Sequence, residues 1–328
     1  MTDVRVIDAS TVRTLLSPTV AVDAMRSALT AFSARTVYQP TRVTAEDDSL
    51  RGPILIMPAA APGIPAVGLK VLTMFGGDPA HGIPSVQGAV LVIDPVTGGV
   101  VALIDATSVT EVRTAAVTNL ATDVLARPDA RELAIIGAGV QARGHLESLA
   151  AVRPWSSVRI YARDAARAAP LVDRAKEQGV PVTLAGSVAE AVQGADVVCV
   201  ATSACEPVLA DSDVARGAHV NGIGAFGASC RELPSALIAR SSVFVDSRDG
   251  ALGEAGDLLI PMREGIVGSE HIVAEIGDVL AGSHPGRGSD DEVTVFKSLG
   301  LAIEDVVSCQ TVYRLAVEAG LGTVVPFP

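Results

Sequence analysis

Residues 133–142 read Leu-Ala-Ile-Ile-Gly-Ala-Gly-Val-Gln-Ala, which places the spacing G-x-G-x-x-A between an apolar run and a helical pattern. Gly137 permits a tight turn after the strand, Gly139 lets the backbone approach a pyrophosphate, and Ala142 allows close packing of the helix on the strand. The first amides of the helix then meet the phosphate charge. The segment predicts a dinucleotide-binding site that also includes Val140 and Gln141.

The end of the next predicted strand selects between the two nicotinamide dinucleotides. An acidic residue there binds the ribose 2′-hydroxyl of NAD, whereas an arginine pairs with the 2′-phosphate of NADP. In this sequence the small residue Ala162 ends the strand, and Arg163 and Arg167 follow it. We therefore expect NADPH in preference to NADH, with NADH possible. Asp164 keeps the NADH alternative open, because it would reach the ribose if the strand ended later.

Strands and helices alternate from residue 131 onward. Short apolar runs at 133–136, 158–162, 182–184, 197–201, 218–223 and 243–246 are separated by helical patterns such as 141–152 and 165–178. Such alternation predicts a parallel sheet covered by helices on both faces. The predicted fold class is therefore α/β, with a Rossmann-type doubly wound parallel sheet.

The first third of the chain has a different pattern. A short strand at 4–7 precedes a helix that begins at Ser17-Pro18. Apolar runs within residues 52–105 are separated by Gly, Pro and Asp, which predicts a β-meander, and helices follow at 107–125 and 299–320. We predict a discontinuous α+β domain for substrate binding and dimerisation, residues 1–120 and 305–328, and a dinucleotide-binding domain of residues 121–304.

Composition excludes several classes of protein. Lys and Arg total 25 and Asp and Glu total 37, so the formal net charge is −12 and nucleic acid is not an expected partner. Apolar residues make up 49% of the chain, enough for a sizeable core. Gly and Pro interrupt every long apolar run, and the first residues lack the order of a signal peptide. We expect a cytoplasmic protein that does not bind membranes.

The cysteines and histidines show no metal-ligand spacing, so no metal site is expected. The four cysteines contain no C-x-x-C pair, and we interpret them as reduced thiols of a cytosolic protein. They are Cys199, Cys205, Cys230 and Cys309.

Three basic residues of the first domain occupy unusual settings. Lys70 lies inside the apolar run 67–72, Arg113 lies in an otherwise apolar helix, and Arg42 stands at a strand start. If these cations converge on one pocket of an acidic protein, they bind a small carboxylate. From composition alone, an exposed or ion-paired cation is a better explanation of each than a ligand role.

Several longer motifs share their order and spacing with a known family. They are Met-Pro-Ala (57–59), Gly-Leu-Lys-Val (68–71), Gly-Ile-Pro-Ser-Val-Gln-Gly (82–88), Arg-Thr-Ala-Ala (113–116), Ile-Gly-Ala-Gly-Val-Gln-Ala (136–142), Asn-Gly-Ile-Gly-Ala-Phe (221–226) and Val-Phe-Lys-Ser-Leu-Gly (295–300). Over nearly its whole length the chain resembles the ornithine cyclodeaminase/mu-crystallin family. The resemblance implies a homodimer in which Arg42, Lys70 and Arg113 hold a substrate carboxylate. It also implies that the cofactor is lined by Thr114, Thr202, Asn221, Gly222 and Leu299.

Two departures from the family pattern bear on the activity. Cyclodeaminases of the family carry an aspartate after the Gly-Ala-Phe turn, where this chain has Ser229, and an acid just before Met-Pro, where it has Leu55 and Ile56. Deamination of an ornithine-like substrate needs a base for the ammonium group, whereas a substrate that is already an imine does not. The resemblance therefore implies NAD(P)H-dependent reduction of Δ1-pyrroline-2-carboxylate or Δ1-piperideine-2-carboxylate, giving L-proline or L-pipecolate.

In this hypothesis Lys70 and Ser229 are the catalytic residues. Lys70, crowded by two arginines, has a lowered pKa and protonates the ring nitrogen, to which Ser229 forms a hydrogen bond directly or through water. The hypothesis expects no nearby anion that can take a proton from an amine, and no carboxylate at the place of Ser229. Two rival interpretations remain. One is a cyclodeaminase or amino-acid dehydrogenase that uses Glu232 or Asp257 as its acid, and the other is a non-enzymatic binder of small ligands.

Overall fold

The computed structural model describes residues 2–47, 49–77, 81 and 83–327, so Gly82 of the 82–88 motif lies outside the described residues. The chain divides into two compact units. Unit 1 comprises Met1–Arg113 and Leu301–Pro328, and unit 2 comprises Thr114–Gly300. Unit 1 is therefore discontinuous in sequence, and its limits fall a few residues from the predicted ones at 120 and 305.

Unit 1 is built on a seven-stranded sheet with the order β15-β1-β6-β5-β4-β3-β2. Its strands are β1 (Thr2–Ile7), β2 (Val43–Ala45), β3 (Ile54–Ala61), β4 (Ala66–Thr73), β5 (Gln87–Ile93), β6 (Val100–Asp105) and β15 (Thr323–Phe327). Each consecutive pair from β2 to β6 is antiparallel, which confirms the predicted meander. Strand β1 lies parallel to β6, and β15, for which the sequence made no prediction, pairs antiparallel with β1.

Helices cover one face of this sheet. They are α1 (Ala9–Leu15), α2 (Pro18–Ser33), the first part of α3 (Ala106–Leu125) and α11 (Ala302–Ala319). Helix α2 begins where predicted, with Ser17 at the N-cap and Pro18 in the first turn. Residues of β3 and β4 are buried alternately, and α11 packs against β3, β4 and β5. Lys70 belongs to the buried set of β4, so it lies on the face that α11 covers.

Unit 2 contains an eight-stranded parallel sheet with the order β13-β12-β14-β11-β10-β7-β8-β9. Its strands are β7 (Glu132–Ile136), β8 (Ser157–Tyr161), β9 (Val182–Leu184), β10 (Val197–Val200), β11 (His219–Gly222), β12 (Ser241–Val245), β13 (Ile272–Glu275) and β14 (Val293–Lys297). The α/β doubly wound prediction is confirmed. From β7, the strands β8 and β9 are added on one side, and β10 and the later strands on the other, so the strand order reverses between β7 and β10. Ligands of such sheets bind at the carboxyl ends of the strands beside this point.

Helices pack on both faces of this sheet. They are the rest of α3, α4 (Val140–Val152), α5 (Ala165–Glu177), α6 (Val188–Val192), α7 (Ser235–Arg240), α8 (Arg248–Glu254), α9 (Gly256–Arg263) and α10 (Ile276–Leu280). Alternate residues of β7 belong to two hydrophobic cores, one on each face of the sheet. Leu133 and Ile135 pack in one core and Ile136 in the other. Among the described residues, no helix of either unit is long and apolar enough to cross a membrane.

Two of the four cysteines are joined. Cys205 and Cys230 form a disulfide, so the prediction of reduced thiols is wrong for this pair. They are separated by 25 positions in sequence, and the loops that follow β10 and β11 bring them together, which the cysteine spacing does not reveal. Cys199 and Cys309 are free and buried, as expected.

Candidate functional site

Lys70 is a fully buried lysine in the middle of strand β4 of unit 1. Its Nζ donates hydrogen bonds to Thr110 Oγ1 at 2.7 Å and to Asp305 Oδ1 at 2.8 Å. Thr110 lies on α3 and in turn donates to the carbonyl of Ala106, so its hydroxyl can only accept from the lysine. These two contacts use two of the three N–H groups of the ammonium.

Arg113, one turn beyond Thr110 on α3, is bound to the same carboxylate. Its Nε donates to Asp305 Oδ1 at 3.1 Å, and its Nη1 donates to Glu304 Oε2 at 2.8 Å. Glu304 and Asp305 are fully buried in the first turn of α11. The structure therefore brings Lys70 and Arg113 together, as the sequence predicts, with a buried carboxylate between them.

Carboxylates lie beside both cations, as the ion-paired alternative for Lys70 and Arg113 predicts. Lys70 and Arg113 are balanced by Glu304 and Asp305, which are sequence neighbours of the predicted cofactor motif. Charge pairing explains this arrangement, because two buried cations without counterions would carry a large desolvation cost. Within the described ranges, no three His, Cys, Asp or Glu side chains are grouped so as to hold a metal ion.

Burial and charge shift the protonation equilibria of this group. Burial lowers the pKa of the Lys70 ammonium below its ordinary value; Asp305 opposes this effect and Arg113 reinforces it. Burial alone would raise the pKa of Asp305, but the charges of Arg113 and Lys70 outweigh it, so the pKa lies below its ordinary value. Asp305 is therefore a weak base, and Lys70 gives up a proton more readily than an exposed lysine.

The third predicted cation, Arg42, is half-buried and directly precedes β2. Val43 pairs with Ile56 at the first position of the β2–β3 ladder, so Arg42 lies just outside that ladder, and Met57, the next residue of β3, pairs with Lys70. Residues opposite one another in an antiparallel sheet lie on the same face, and neighbouring strands are about 4.8 Å apart. Arg42 therefore lies next to the strand that is two places from β4 in the sheet.

The glycine fingerprint of unit 2 joins β7 to α4, as predicted. Gly137 has φ 128°, and a Cβ there would lie 2.3 Å from the carbonyl oxygen of Ala201, so glycine is needed where the loops after β7 and β10 meet. Gly139 is the N-cap of α4, and a Cβ there would meet nothing within 4 Å. Open space above helix amides fits a pyrophosphate.

The remaining fingerprint residues also fit a dinucleotide. Ala142 is fully buried, which permits the close packing of α4 on β7, and Val140 is half exposed at the first helical position. Gln141 has a buried Oε1 without a hydrogen-bond partner, which is an acceptor for a ligand donor.

The end of β8 presents basic side chains. Strand β8 ends at Tyr161, and Arg163 and Arg167 are exposed at the start of α5. Asp164 is the N-cap of α5, and its carboxylate accepts a hydrogen bond from the amide of Ala166 at 3.0 Å. The acid that would favour NADH is thus engaged in capping its own helix.

A buried carboxylate organises the loops after β10 and β11. Glu232 Oε1 accepts from the amide and the hydroxyl of Thr202, and its Oε2 accepts from the amides of Gly224 and Ala225. Burial raises the pKa of Glu232, against the hydrogen bonds from Thr202. The sequence assigned Thr202 to the cofactor but did not reveal that Glu232 fixes its position.

Asp257 and Ser229 have contrasting surroundings. Asp257 is fully buried, accepts from the amides of Glu232 and Leu233, and pairs with Lys297 Nζ at 2.9 Å. Ser229 is exposed on the turn that follows the Gly-Ala-Phe segment. The two acids that the rival interpretation would use are therefore held within the protein, whereas the serine faces solvent.

Of the other predicted cofactor positions, Asn221, Gly222 and Leu299 lie at or just after the carboxyl ends of strands, and Thr114 lies in α3. Asn221 is fully buried, with its amide bound to Thr122 and His219, so it orients neighbouring residues. The amide of Leu299 binds the carboxylate of Asp246 at 2.6 Å. Asp246 also binds the amide of Gly300, which keeps these residues in a loop and delays the start of α11 until Ala302. Gly222 and Thr114 are buried.

The amino-acid sequence that forms these two units matches the profile of a known family. The profile of the ornithine cyclodeaminase/mu-crystallin family matches residues 3–320. The chain belongs to this family.

Characterised family members are similar over their full length. A Δ1-pyrroline-2-carboxylate reductase of Bacillus cereus is 37% identical over 98% of this chain and 99% of its own length. The structure of Thermococcus litoralis Δ1-pyrroline-2-carboxylate reductase in complex with NADH and L-proline is 35% identical, with a TM-score of 0.94 over 98% of this chain and all of that one. An archaeal alanine dehydrogenase dimer with bound NAD is 30% identical, with a TM-score of 0.93 over 99% of this chain and 100% of that one.

The sequence did not predict the acidic partners of Lys70 and Arg113. Asp305 and Glu304 lie in the first turn of α11, and one signal was available: two adjacent acids in a strongly apolar helix. Buried charges in such a helix need partners, and the cations in apolar settings elsewhere in the same domain are the available ones. Glu232 and Asp246 gave no comparable signal, because most of their partners are backbone amides.

Proposed function

We propose that the protein is an NADPH-dependent reductase of cyclic ketimine carboxylates, converting Δ1-pyrroline-2-carboxylate or Δ1-piperideine-2-carboxylate to L-proline or L-pipecolate. The buried Lys70–Arg113 pair carries the proposal, because a cation pair at this depth suits a small carboxylate. The similarity to reductases of Δ1-pyrroline-2-carboxylate supports the choice of substrate. Bound nicotinamide supplies the hydride that reduces the C=N carbon.

Lys70 serves both the carboxylate and the ring nitrogen. The carboxylate of the substrate is attached to the carbon next to that nitrogen, so a single ammonium group contacts both. Two N–H groups of Lys70 bind Thr110 and Asp305, and the third is directed to the substrate. The lowered pKa of Lys70 suits transfer of a proton to the nitrogen as the C=N bond is reduced.

Arg113 and Arg42 orient the carboxylate. Arg113 is fixed on two sides by Asp305 and Glu304, so its guanidinium is positioned before substrate binds. Arg42, next to β2, is the third cation proposed to bind the carboxylate. Ser229 forms a hydrogen bond with the ring nitrogen or an adjacent water.

NADPH is the proposed cofactor. Arg163 and Arg167 present positive charge where the 2′-phosphate binds in related folds, and Asp164 is engaged in helix capping. The fingerprint residues Gly137 and Gly139, with the amides of α4, hold the pyrophosphate.

A reductase fits the site better than a cyclodeaminase does. Removal of an amine needs a base that accepts a proton from an ammonium group. Glu232 and Asp257 are bound to backbone amides, and the pKa of Asp305 is lowered by Arg113 and Lys70 against the effect of burial. An imine substrate needs no such base.

A homodimer is the proposed assembly. The sheet face opposite α11 carries an apolar row in register, formed by Val6, Leu103, Leu91 and Leu69. Val6 and Leu103 are 37% and 36% exposed, and exposed apolar patches of this kind mark interaction surfaces. The alanine dehydrogenase of similar fold is a dimer. Leu103→Lys is expected to yield monomers in light scattering, and a monomeric wild type would contradict the assembly.

The cytoplasm is the proposed compartment, because pyridine nucleotides are available there. The disulfide between Cys205 and Cys230 is unusual for that compartment. With a net charge of −12, the protein is not proposed to bind nucleic acid or anionic membrane surfaces.

Purified protein assayed with NADPH or NADH and each cyclic ketimine tests the function. We expect loss of nicotinamide absorbance with at least one ketimine, faster with NADPH. Parallel incubations with L-ornithine and L-lysine, in which ammonia is measured, test the cyclodeaminase alternative. Ammonia release without ketimine reduction would overturn the proposal, and tight NADPH binding without any turnover would favour a ligand-binding protein.

A further inference from the structure

The carboxylate of Asp305 contacts both cations of the proposed substrate site through one oxygen. Its Oδ1 lies 2.8 Å from Lys70 Nζ and 3.1 Å from Arg113 Nε. Asp305 and Lys70 are no more than 1% exposed, so solvent does not screen this contact. Its second oxygen, Oδ2, is buried and accepts no hydrogen bond.

We propose that Asp305 is a positioning residue, which holds Lys70 and Arg113 side by side and keeps the Lys70 ammonium charged until the substrate nitrogen takes its proton. This inference rests on the proposed ketimine reduction. Asp305 would act through Lys70 and would not itself exchange a proton with the substrate.

The surroundings of Lys70 explain why this carboxylate matters. Helix α3 contributes Thr110 and the cation Arg113, and α11 contributes Asp305, Glu304 and Cys309. Burial raises the pKa of Cys309 well above its ordinary value, and Asp305 adds to the effect, so this residue stays a neutral thiol.

Without the charge of Asp305, the remaining neighbours of Lys70 would disfavour its charged form. Burial and a like charge both shift a lysine toward the neutral amine, which cannot protonate the substrate. Glu304 does not replace Asp305, because its carboxylate binds Arg113 Nη1. Glu304, in the same helix turn, therefore offers a matched control. The carboxylate of Asp305 binds both Lys70 and Arg113, whereas that of Glu304 binds Arg113.

The first experiment needs no turnover. Protein labelled with 15N-lysine is examined by NMR for the buried ammonium of Lys70, assigned by its loss in Lys70→Arg. We expect the wild-type signal at neutral pH and its loss at a lower pH in Asp305→Asn than in the wild type. An ammonium signal that titrates identically in wild type and Asp305→Asn would overturn the inference.

The second experiment measures kcat/KM for a cyclic ketimine against pH. The alkaline limb of the profile, which reports the loss of the Lys70 proton, should move to lower pH by at least about one unit in Asp305→Asn. Glu304→Gln should raise KM about tenfold and leave the limb in place, because it weakens the fixation of Arg113 and keeps the contact between Asp305 and Lys70. A purely structural role of Asp305 would lower activity equally at every pH.

Asp305→Glu covers the case in which Asp305→Asn does not fold. The glutamate keeps the charge but displaces it by one methylene, so we expect a lower kcat with the alkaline limb near its wild-type position. A limb shifted to lower pH in Asp305→Glu would overturn the inference. Failure of the wild type to reduce any ketimine would overturn the proposed function alone, since the NMR titration tests Asp305 without substrate.

Discussion

Glu232 Oε1 accepts hydrogen bonds from both the backbone amide and the hydroxyl of Thr202, at 2.7 and 2.6 Å. The two residues are thirty positions apart in sequence. Glu232 lies in the loop after β11, and its carboxylate holds the loop after β10, which contains Thr202, in place. Because the same carboxylate also binds the amides of Gly224 and Ala225, it sets the shape of the edge where the dinucleotide is proposed to bind.

Glu232→Gln should weaken cofactor binding. The new amide group would direct N–H atoms at backbone donors, which leaves buried donors unsatisfied. We expect the Kd for NADPH, measured by fluorescence titration, to rise about tenfold, and Tm to fall by several degrees. Glu190→Gln is the control, since Glu190 accepts a backbone hydrogen bond from Gly186 at an exposed position. Equal NADPH affinity in the two variants would contradict this role.

Arg163→Ala should reduce the preference for NADPH. A guanidinium that pairs with the 2′-phosphate contributes to NADPH binding and not to NADH binding. We expect the ratio of kcat/KM for NADPH to that for NADH to fall about tenfold. Arg174→Ala removes an exposed arginine from the last turn of the same helix and should leave the ratio unchanged. An unchanged ratio in Arg163→Ala would remove this residue from the cofactor site.

His145 makes the protein sensitive to mild acid. Its Nδ1 donates to the carbonyl of Gln141, so Nε2 accepts from the Thr118 hydroxyl, and burial lowers the pKa of His145 to about 4. The unfolded chain binds a proton near pH 6.5 and the folded chain does not, so stability is full above that pH and falls as the pH drops toward 4. Between these two pH values, His145 lowers the free energy of unfolding by roughly 3 kcal/mol.

His145→Gln tests this prediction by urea unfolding at several pH values. The variant should lose less stability than the wild type between neutral pH and the pKa of His145, about 4. Glu232 acts in the opposite sense, because burial raises the pKa of its carboxyl group. Comparing the slopes of the two proteins isolates the histidine contribution, and parallel slopes would show that His145 titrates normally.

The disulfide predicts a specific thiol count. Unfolded, unreduced protein should react through Cys199 and Cys309 only, and all four cysteines should react after reduction. Closing a loop with a sequence separation of 25 stabilises a protein by roughly 3 kcal/mol in the chain-entropy treatment. Reduction should therefore lower Tm, whereas Cys230→Ser should be insensitive to reductant. Four reactive thiols without reduction would contradict the bond.

Local patterns in the sequence predicted much of the fold. Ser17-Pro18 marked the start of α2, and the G-x-G-x-x-A turn was placed correctly between β7 and α4. Pairings between distant residues were not predictable, because no local pattern reports them. Lys70 and Asp305 are 235 positions apart, and Cys205 meets Cys230 only through the layout of two loops. Strand β15 is exposed at all five residues, so it lacks the apolar alternation that reveals half-buried strands.

Deuteride transfer tests the central claim most directly. Protein is incubated with Δ1-pyrroline-2-carboxylate and NADPH carrying deuterium at the transferring position of the nicotinamide, and the product is examined by mass spectrometry and chiral chromatography. The account predicts L-proline with a single deuterium at Cα, formed about 10² to 10⁴ times more slowly by Lys70→Ala. Unlabelled proline would contradict the account. So would the absence of deuteride transfer both to this substrate and to its six-membered homologue.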